Sequence, residues 1–331
     1  MTGISAPDFA LVEGWERLPA GLVHKDVAGV AVDSLDRVYL ATRSTDQVLV
    51  YDSRGRFLRC WGRGLFGRPH NITVGPDDRI YVADDRKSKI YVFTPDGARQ
   101  SVIGTGVPSD TGYDFELPTY YGRIGSIRRA AGPFNQCTKV AVAPGGDLFV
   151  SDGYGNARVH RFSSDGELVL SWGEPGSGPG QFHCVHSVCI HPDGRVLVAD
   201  RDNERIQVFT QEGRLLAMWP MQRPADIAAD SEGRIYVNEF CWRRGETSWT
   251  AGPINELVPA RLAVLAADGS RLATWINEGP AHRAGNLAAP HGIALDSTGA
   301  IYIAEVSYNF LGSAGLVPDD CHTLQKFRRT S

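Results

Sequence analysis

The chain repeats itself, and that limits what it can fold into more than any other feature of it. Aligned on a turn and the apolar run after it, six copies appear: Gly29-Val30-Ala31-Val32-Asp33, Asn71-Ile72-Thr73-Val74, Lys139-Val140-Ala141-Val142, Ser187-Val188-Cys189-Ile190, Asp226-Ile227-Ala228-Ala229 and Gly292-Ile293-Ala294-Leu295. Each runs on through an Asp/Gly turn into a β-rich stretch such as Ile80-Tyr81-Val82-Ala83-Asp84. A further strand often ends in Trp, as at Trp61, Trp172, Trp219 and Trp275. Alternating or apolar runs punctuated by Asp-Gly, Asp-Asp and Gly-Gly are strands with tight turns. Four such strands recurring every roughly 40 residues are the signature of a propeller blade. One blade cannot bury both of its faces, so ring closure has to supply the core. The expected fold is all-β: a six-bladed β-propeller with four-stranded blades around a central channel. Residues 1–331 are read as one such domain.

Composition excludes several functions. A net charge of −4 with 42% hydrophobic residues leaves no basic field for nucleic acid. No run of about 18 apolar residues is present, so no membrane-spanning helix is expected. The N-terminal Met1-Thr2-Gly3-Ile4-Ser5-Ala6-Pro7-Asp8 lacks the charged start and apolar core of a signal peptide. The six cysteines (60, 137, 184, 189, 241, 321) have no paired spacing. Together these features give the expectation of a cytoplasmic protein. Cys184 and Cys189 flank His186 and admit a Cys/His zinc reading, but no second cysteine cluster completes it, and buried thiols are the preferred reading.

Three segments interrupt the repeat: about 101–136, rich in Gly, Pro and aromatic residues and including Tyr120, Tyr121 and Arg123; 241–260, with Cys-Trp-Arg-Arg-Gly-Glu-Thr-Ser-Trp; and 306–322. Long loops in a compact fold are functional or mobile, and lids over a site are the expectation here.

Three histidines occupy one repeat position in alternate copies: His70 in Arg-Pro-His-Asn, His186 in Cys-Val-His-Ser and His291 in Ala-Pro-His-Gly. The other copies carry Ala28, Thr138 and Ala225 there. In a closed six-fold ring, alternate equivalent positions lie about 120° apart at one height, a three-imidazole arrangement of the kind a catalytic zinc uses while keeping a position open. Zinc is the expected ion, although three imidazoles also suit iron, nickel or copper. The remaining histidines (24, 160, 183, 191, 282 and 322) fall out of register and are read as surface or structural.

The repeats resemble the NHL type of six-bladed propeller. More closely, the chain resembles the peptidyl-α-hydroxyglycine α-amidating lyase family. The carrying residues are Ser151-Asp152-Gly153-Tyr154-Gly155-Asn156-Ala157-Arg158-Val159, Trp172-Gly173-Glu174 with Pro179-Gly180-Gln181-Phe182, Val198-Ala199-Asp200-Arg201 and Arg205-Ile206-Gln207. With the histidine turns they cover copies two to six. The resemblance implies that His70, His186 and His291 bind zinc, that Tyr154 is the active-site tyrosine, and that Arg43 and Arg201 are the active-site arginines. It also implies a structural calcium on the carbonyls of Val30 and Ile72, but Gly292 stands where the family has the aspartate that completes that site. Phe134 and Gly155 replace the family's disulfide partners, and Ala289 replaces its methionine.

Arg43, Tyr154 and Arg201 all follow the second strand of their copies. Two cations beside a phenol favour its ionised form, which makes Tyr154 a candidate base. Either arginine is also able to clamp a carboxylate. The structural alternative for Arg201 is an ion pair with Asp200 or Glu204. The recurring acids Asp152, Asp200, Glu239 and Glu305 are read as ties between blade turns. The expected function is a metal-dependent lyase acting on a small hydroxylated carboxylate or hemiaminal-like substrate. The alternatives are a lactonase-type propeller hydrolase, whose hard cation prefers oxygen ligands, and a non-catalytic NHL scaffold for protein partners.

Overall fold

In the computed structural model, residues 9–45 and 47–330 are described. Met1–Asp8, on which the absence of an export signal was read, lies outside the described residues. The fold is a six-bladed β-propeller whose blades are four-stranded antiparallel sheets. Among the described residues, no helix is long and apolar enough to cross a membrane.

The chain divides into two compact units of three blades each. One comprises residues 66–224 and 245–255. Its blades begin with strands Pro69–Val74, Cys137–Val142 and Val185–Ile190, which pack side by side. Between these blades, Tyr81, Val92, Phe134 and Phe162 fill one buried layer, and Phe149, Phe182, Val198 and Phe209 fill the next. The other unit takes in the described residues from 9–65, 225–244 and 256–330, and its blades begin with Val27–Val32, Pro224–Ala229 and Pro290–Leu295. Its core includes Trp15, Tyr51 and Tyr302 in one cluster, and Leu262, Trp275, Ile303 and Phe327 in another.

The turns explain the Asp/Gly punctuation. Asp33 accepts from the backbone N–H groups of Leu35 and Arg37, and Asp296 from those of Thr298 and Ala300. An aspartate at the turn's first position thus stands in for backbone acceptors. The sixth sheet has an edge that the repeat did not reveal. Its outer strand is Phe9–Leu11, paired antiparallel with Leu324–Arg329, so the last blade is completed from the start of the chain.

The second interruption carries a small hairpin of its own, Thr247–Ser248 with Gly252–Pro253. The first begins later than 101, because Arg99–Ile103 is the outer strand of the second blade. It carries a six-residue helix, Tyr120–Gly125, capped by the hydroxyl of Thr119 on the N–H of Gly122.

Candidate active site

The recurring acids act first. Asp84, at the end of a second strand, accepts from the N–H groups of Gly67 and Arg68 at 2.7 and 3.0 Å. Asp152 does the same for Asn135, Asp200 for His183 at 2.9 Å, and Glu305 for Ala288 and Ala289. Each fully buried carboxylate therefore fixes the loop that enters its blade's first strand. The histidine follows immediately, and there the ladder slips. Pro69 pairs with Asp84 and Asn71 with Ala83, so His70 is skipped. His186 is skipped between Val185 and Ser187, and His291 between Pro290 and Gly292. Ala28 and Thr138 occupy the same irregularity in their own blades. A bulge re-aims the extra side chain relative to the alternation of its strand.

Two of the imidazoles share one kind of anchor. His70 Nδ1 donates to the Thr138 carbonyl at 2.8 Å, and His291 Nδ1 to the Ala28 carbonyl at 2.7 Å. Donation from Nδ1 fixes the tautomer and leaves Nε2 with its lone pair, the usual preparation of a metal-binding imidazole. All three rings are buried.

Within the unit of residues 66–224 and 245–255, His70, His186, Tyr154 and Arg201 come together. The Tyr154 hydroxyl lies 3.1 Å from His70 Nε2 and 3.0 Å from His186 Nε2, and the two imidazole rings are 4.9 Å apart. A hydroxyl has one proton to give, and His70 Nε2, which keeps its lone pair, is placed to accept it. Gly153 makes this approach possible: a Cβ there would lie 2.2 Å from the Val185 carbonyl oxygen, inside the strand that carries His186. That is the physical content of the Asp-Gly-Tyr motif.

Arg201 opens the short turn Arg201–Asn203 and directs Nη1 at the Tyr154 oxygen, 3.4 Å away. Its ion pair is with Asp202 at 3.2 Å, not with Asp200 or Glu204. Asp200 is taken by Arg205, and Glu204 accepts from Ser248 and Thr250. Sequence reasoning did not select Arg68, which holds the fully buried Asp85 through two nitrogens and stands 5.8 Å from the centre of the Tyr154 ring. Its position directly before Pro69-His70 was the available signal.

The expectation of an ionised Tyr154 needs correction for the protein without metal. Burial pushes its phenol above the ordinary tyrosine range, and outweighs the Arg201 and Arg68 cations that pull the other way. Burial likewise raises the Cys184 thiol to about 12, and none of the six cysteines forms a disulfide.

Two interruptions reach this cluster. Tyr120 from the first bonds to Arg201 and Asp202, and Tyr121 accepts from Arg223 at 2.9 Å. From the second, Glu246 accepts from Arg223 at 3.2 Å, and Trp249 stacks 4.7 Å from the His183 ring. In the other unit, Arg43 faces Asp26 at 3.8 Å, and the N–H of Asn309, from the third interruption, donates to the same carboxylate. His160 is structural, buried between Asp152 and Ser171.

Residues 134–162 and 182–209 match the NHL repeat, and these spans contain Tyr154, His186 and Arg201. Peptidyl-α-hydroxyglycine α-amidating lyase 1 of Drosophila melanogaster is 37% identical over 158 residues, covering 45% of this chain and 26% of that protein. Human NHL repeat-containing protein 3 is 28% identical over 311 residues, covering 90% of this chain and 81% of that protein. The chain spans about a quarter of the length of the amidating relatives it matches. Among solved structures, a gluconolactonase from Xanthomonas campestris has a TM-score of 0.57 at 13% identity, over 92% of this chain and 86% of that one. That likeness is one of fold.

Proposed function

We propose that this protein is a metal-dependent lyase of the amidating type, with zinc as its ion, acting on a small N-acylated α-hydroxy carboxylate. The observation that carries the reading is the Tyr154 hydroxyl seated between His70 Nε2 and His186 Nε2, with His70 Nδ1 committed to a main-chain carbonyl. The donor chemistry fits the ion. His70, His186 and His291 are buried imidazoles able to hold one metal, and such nitrogens suit zinc. A hard cation of the lactonase kind wants oxygen donors instead. The bound ion would supply Lewis acidity toward a substrate oxygen.

The remaining chemistry falls to the chain's own side chains. The Tyr154 phenol hands its proton to the nitrogen that leaves. The phenolate so formed lies against Arg201 and Arg68 and takes the proton of the substrate hydroxyl. The hydroxyl oxygen then forms a carbonyl as the carbon–nitrogen bond breaks with its electron pair going to nitrogen. An amide and an α-oxo carboxylate are released, and Tyr154 is again protonated. Arg43 is assigned the substrate carboxylate, which an arginine fork holds by two parallel bonds.

The test pairs elemental analysis with turnover of N-benzoyl-α-hydroxyglycine, followed by release of glyoxylate. One equivalent of zinc is expected, lost in the His70→Ala/His186→Ala/His291→Ala variant. Tyr154→Phe should keep the metal and lower kcat by roughly 10²–10⁴-fold, the usual contribution of a proton-transferring group. A triple variant with full metal content and full turnover would sink the proposal.

A further inference from the structure

The Tyr120 phenol closes a hydrogen-bonded ring behind the site. It accepts from Arg201 Nη2 at 2.5 Å and donates to Asp202 Oδ2 at 2.6 Å, while Asp202 Oδ1 accepts from Arg201 Nε at 3.2 Å. Arg201 and Asp202 are both buried. A guanidinium is a rigid planar fork, so holding Nε and Nη2 dictates where Nη1 points. Nη1 points at the Tyr154 oxygen. The same guanidinium carbon lies 5.3 Å from the centre of the Tyr120 ring and 5.5 Å from that of Tyr154. The two phenol rings meet edge to face at 6.2 Å. Asp202 alone would tether Arg201 at Nε and leave Nη2 without this second anchor.

The geometry points to Tyr120 as a positioning residue: it acts through Arg201 to set the cation that the Tyr154 phenol meets. The interruption at about 101–136 is thereby a working part of the site and not an ornament of the blade. This inference rests on the reading of Tyr154 as the group that moves the proton.

Two measurements test it, one of which needs neither metal nor substrate. In protein labelled with 3-fluorotyrosine, the Tyr154 fluorine resonance is assigned by its loss in Tyr154→Phe. Tyr120→Phe, which keeps the ring and removes the hydroxyl, should shift that resonance, and so should Arg201→Lys. Because Tyr120 acts through Arg201, the double variant should match Arg201→Lys alone. An unmoved resonance in Tyr120→Phe, or additive shifts in the double variant, would overturn the inference. With N-benzoyl-α-hydroxyglycine and the zinc-loaded protein, Tyr120→Phe should lower kcat about 10- to 100-fold, as small misplacements do, with KM within about twofold. A wild-type protein that fails to turn over this probe refutes the proposed function, and the fluorine measurement still decides the role of Tyr120.

Discussion

Gly292 follows the third histidine, and the structure shows what a side chain at that position would meet. A Cβ at residue 292 would lie 2.9 Å from Gly29 Cα, 3.2 Å from the Val30 nitrogen and 3.3 Å from Ala304 Cβ. Carbon atoms in contact prefer about 3.5–4.0 Å, and two of these three neighbours are backbone atoms that cannot swing aside. Gly292→Ala is therefore an overpacking change, expected to cost about 1–3 kcal/mol. Unfolding entropy scales with length at about 2.1 cal/mol/K per residue. For 331 residues, each kcal/mol then moves the thermal midpoint by roughly 1.4 °C, so a fall of about 1.5–4 °C is expected. Gly292→Asp should be worse, because it brings a charged group into the same closed space beside Gly29, Val30 and Ala304. A buried carboxylate without a cation beside it adds about 3–5 kcal/mol. Thermal melts of wild type, Gly292→Ala, Gly292→Asp and the control Gly145→Ala, whose Cβ meets nothing within 4 Å, with and without calcium chloride, decide the matter. A Gly292→Ala midpoint equal to wild type, or a Gly292→Asp protein that calcium stabilises beyond wild type, would refute this account.

Asp85→Asn should destabilise the protein by about 2 kcal/mol in urea titrations, less than for a wholly buried pair because the Arg68 side chain is 32% exposed; an unchanged midpoint would deny that pair its structural role. Burial alone would lower His322, but the Glu305 carboxylate at 3.1 Å outweighs it and lifts the imidazole above the ordinary histidine range. A histidine with a raised folded value contributes stability that is complete below its ordinary range and is lost as pH rises through the raised value. Stability should therefore fall as pH climbs past neutrality, and the same fall undiminished in His322→Gln would assign it to other groups.

Much of the site was legible because a repeat converts sequence position into spatial position. His70, His186 and His291 share one place in the ladder, and the structure gives His70 and His291 the same main-chain anchor one copy away. Asp152, Asp200 and Glu305 tie their loops as read from their recurrence. Tyr120 and Asp202 were not legible as site residues, because nothing periodic marks them. Tyr120 and Asp202 are 82 residues apart, and only the folded interruption brings their oxygens to 2.6 Å. The direction of Tyr154's shift was also missed, since charge can be counted in a sequence and desolvation cannot.

The sequence by itself determined the blades: period-two apolar runs and Asp/Gly turns are local, and they specify strand, turn and strand wherever they occur. Only the tertiary structure decided two things that no local pattern encodes. One is the slip in each ladder at the histidine position, which sets where the side chain aims against the alternation of its strand. The other is the pairing of Phe9–Leu11 with Leu324–Arg329 to finish the sixth sheet. Both depend on which backbone groups meet across long stretches of chain, and hydrogen-bonding partners at that distance are chosen by the closed fold.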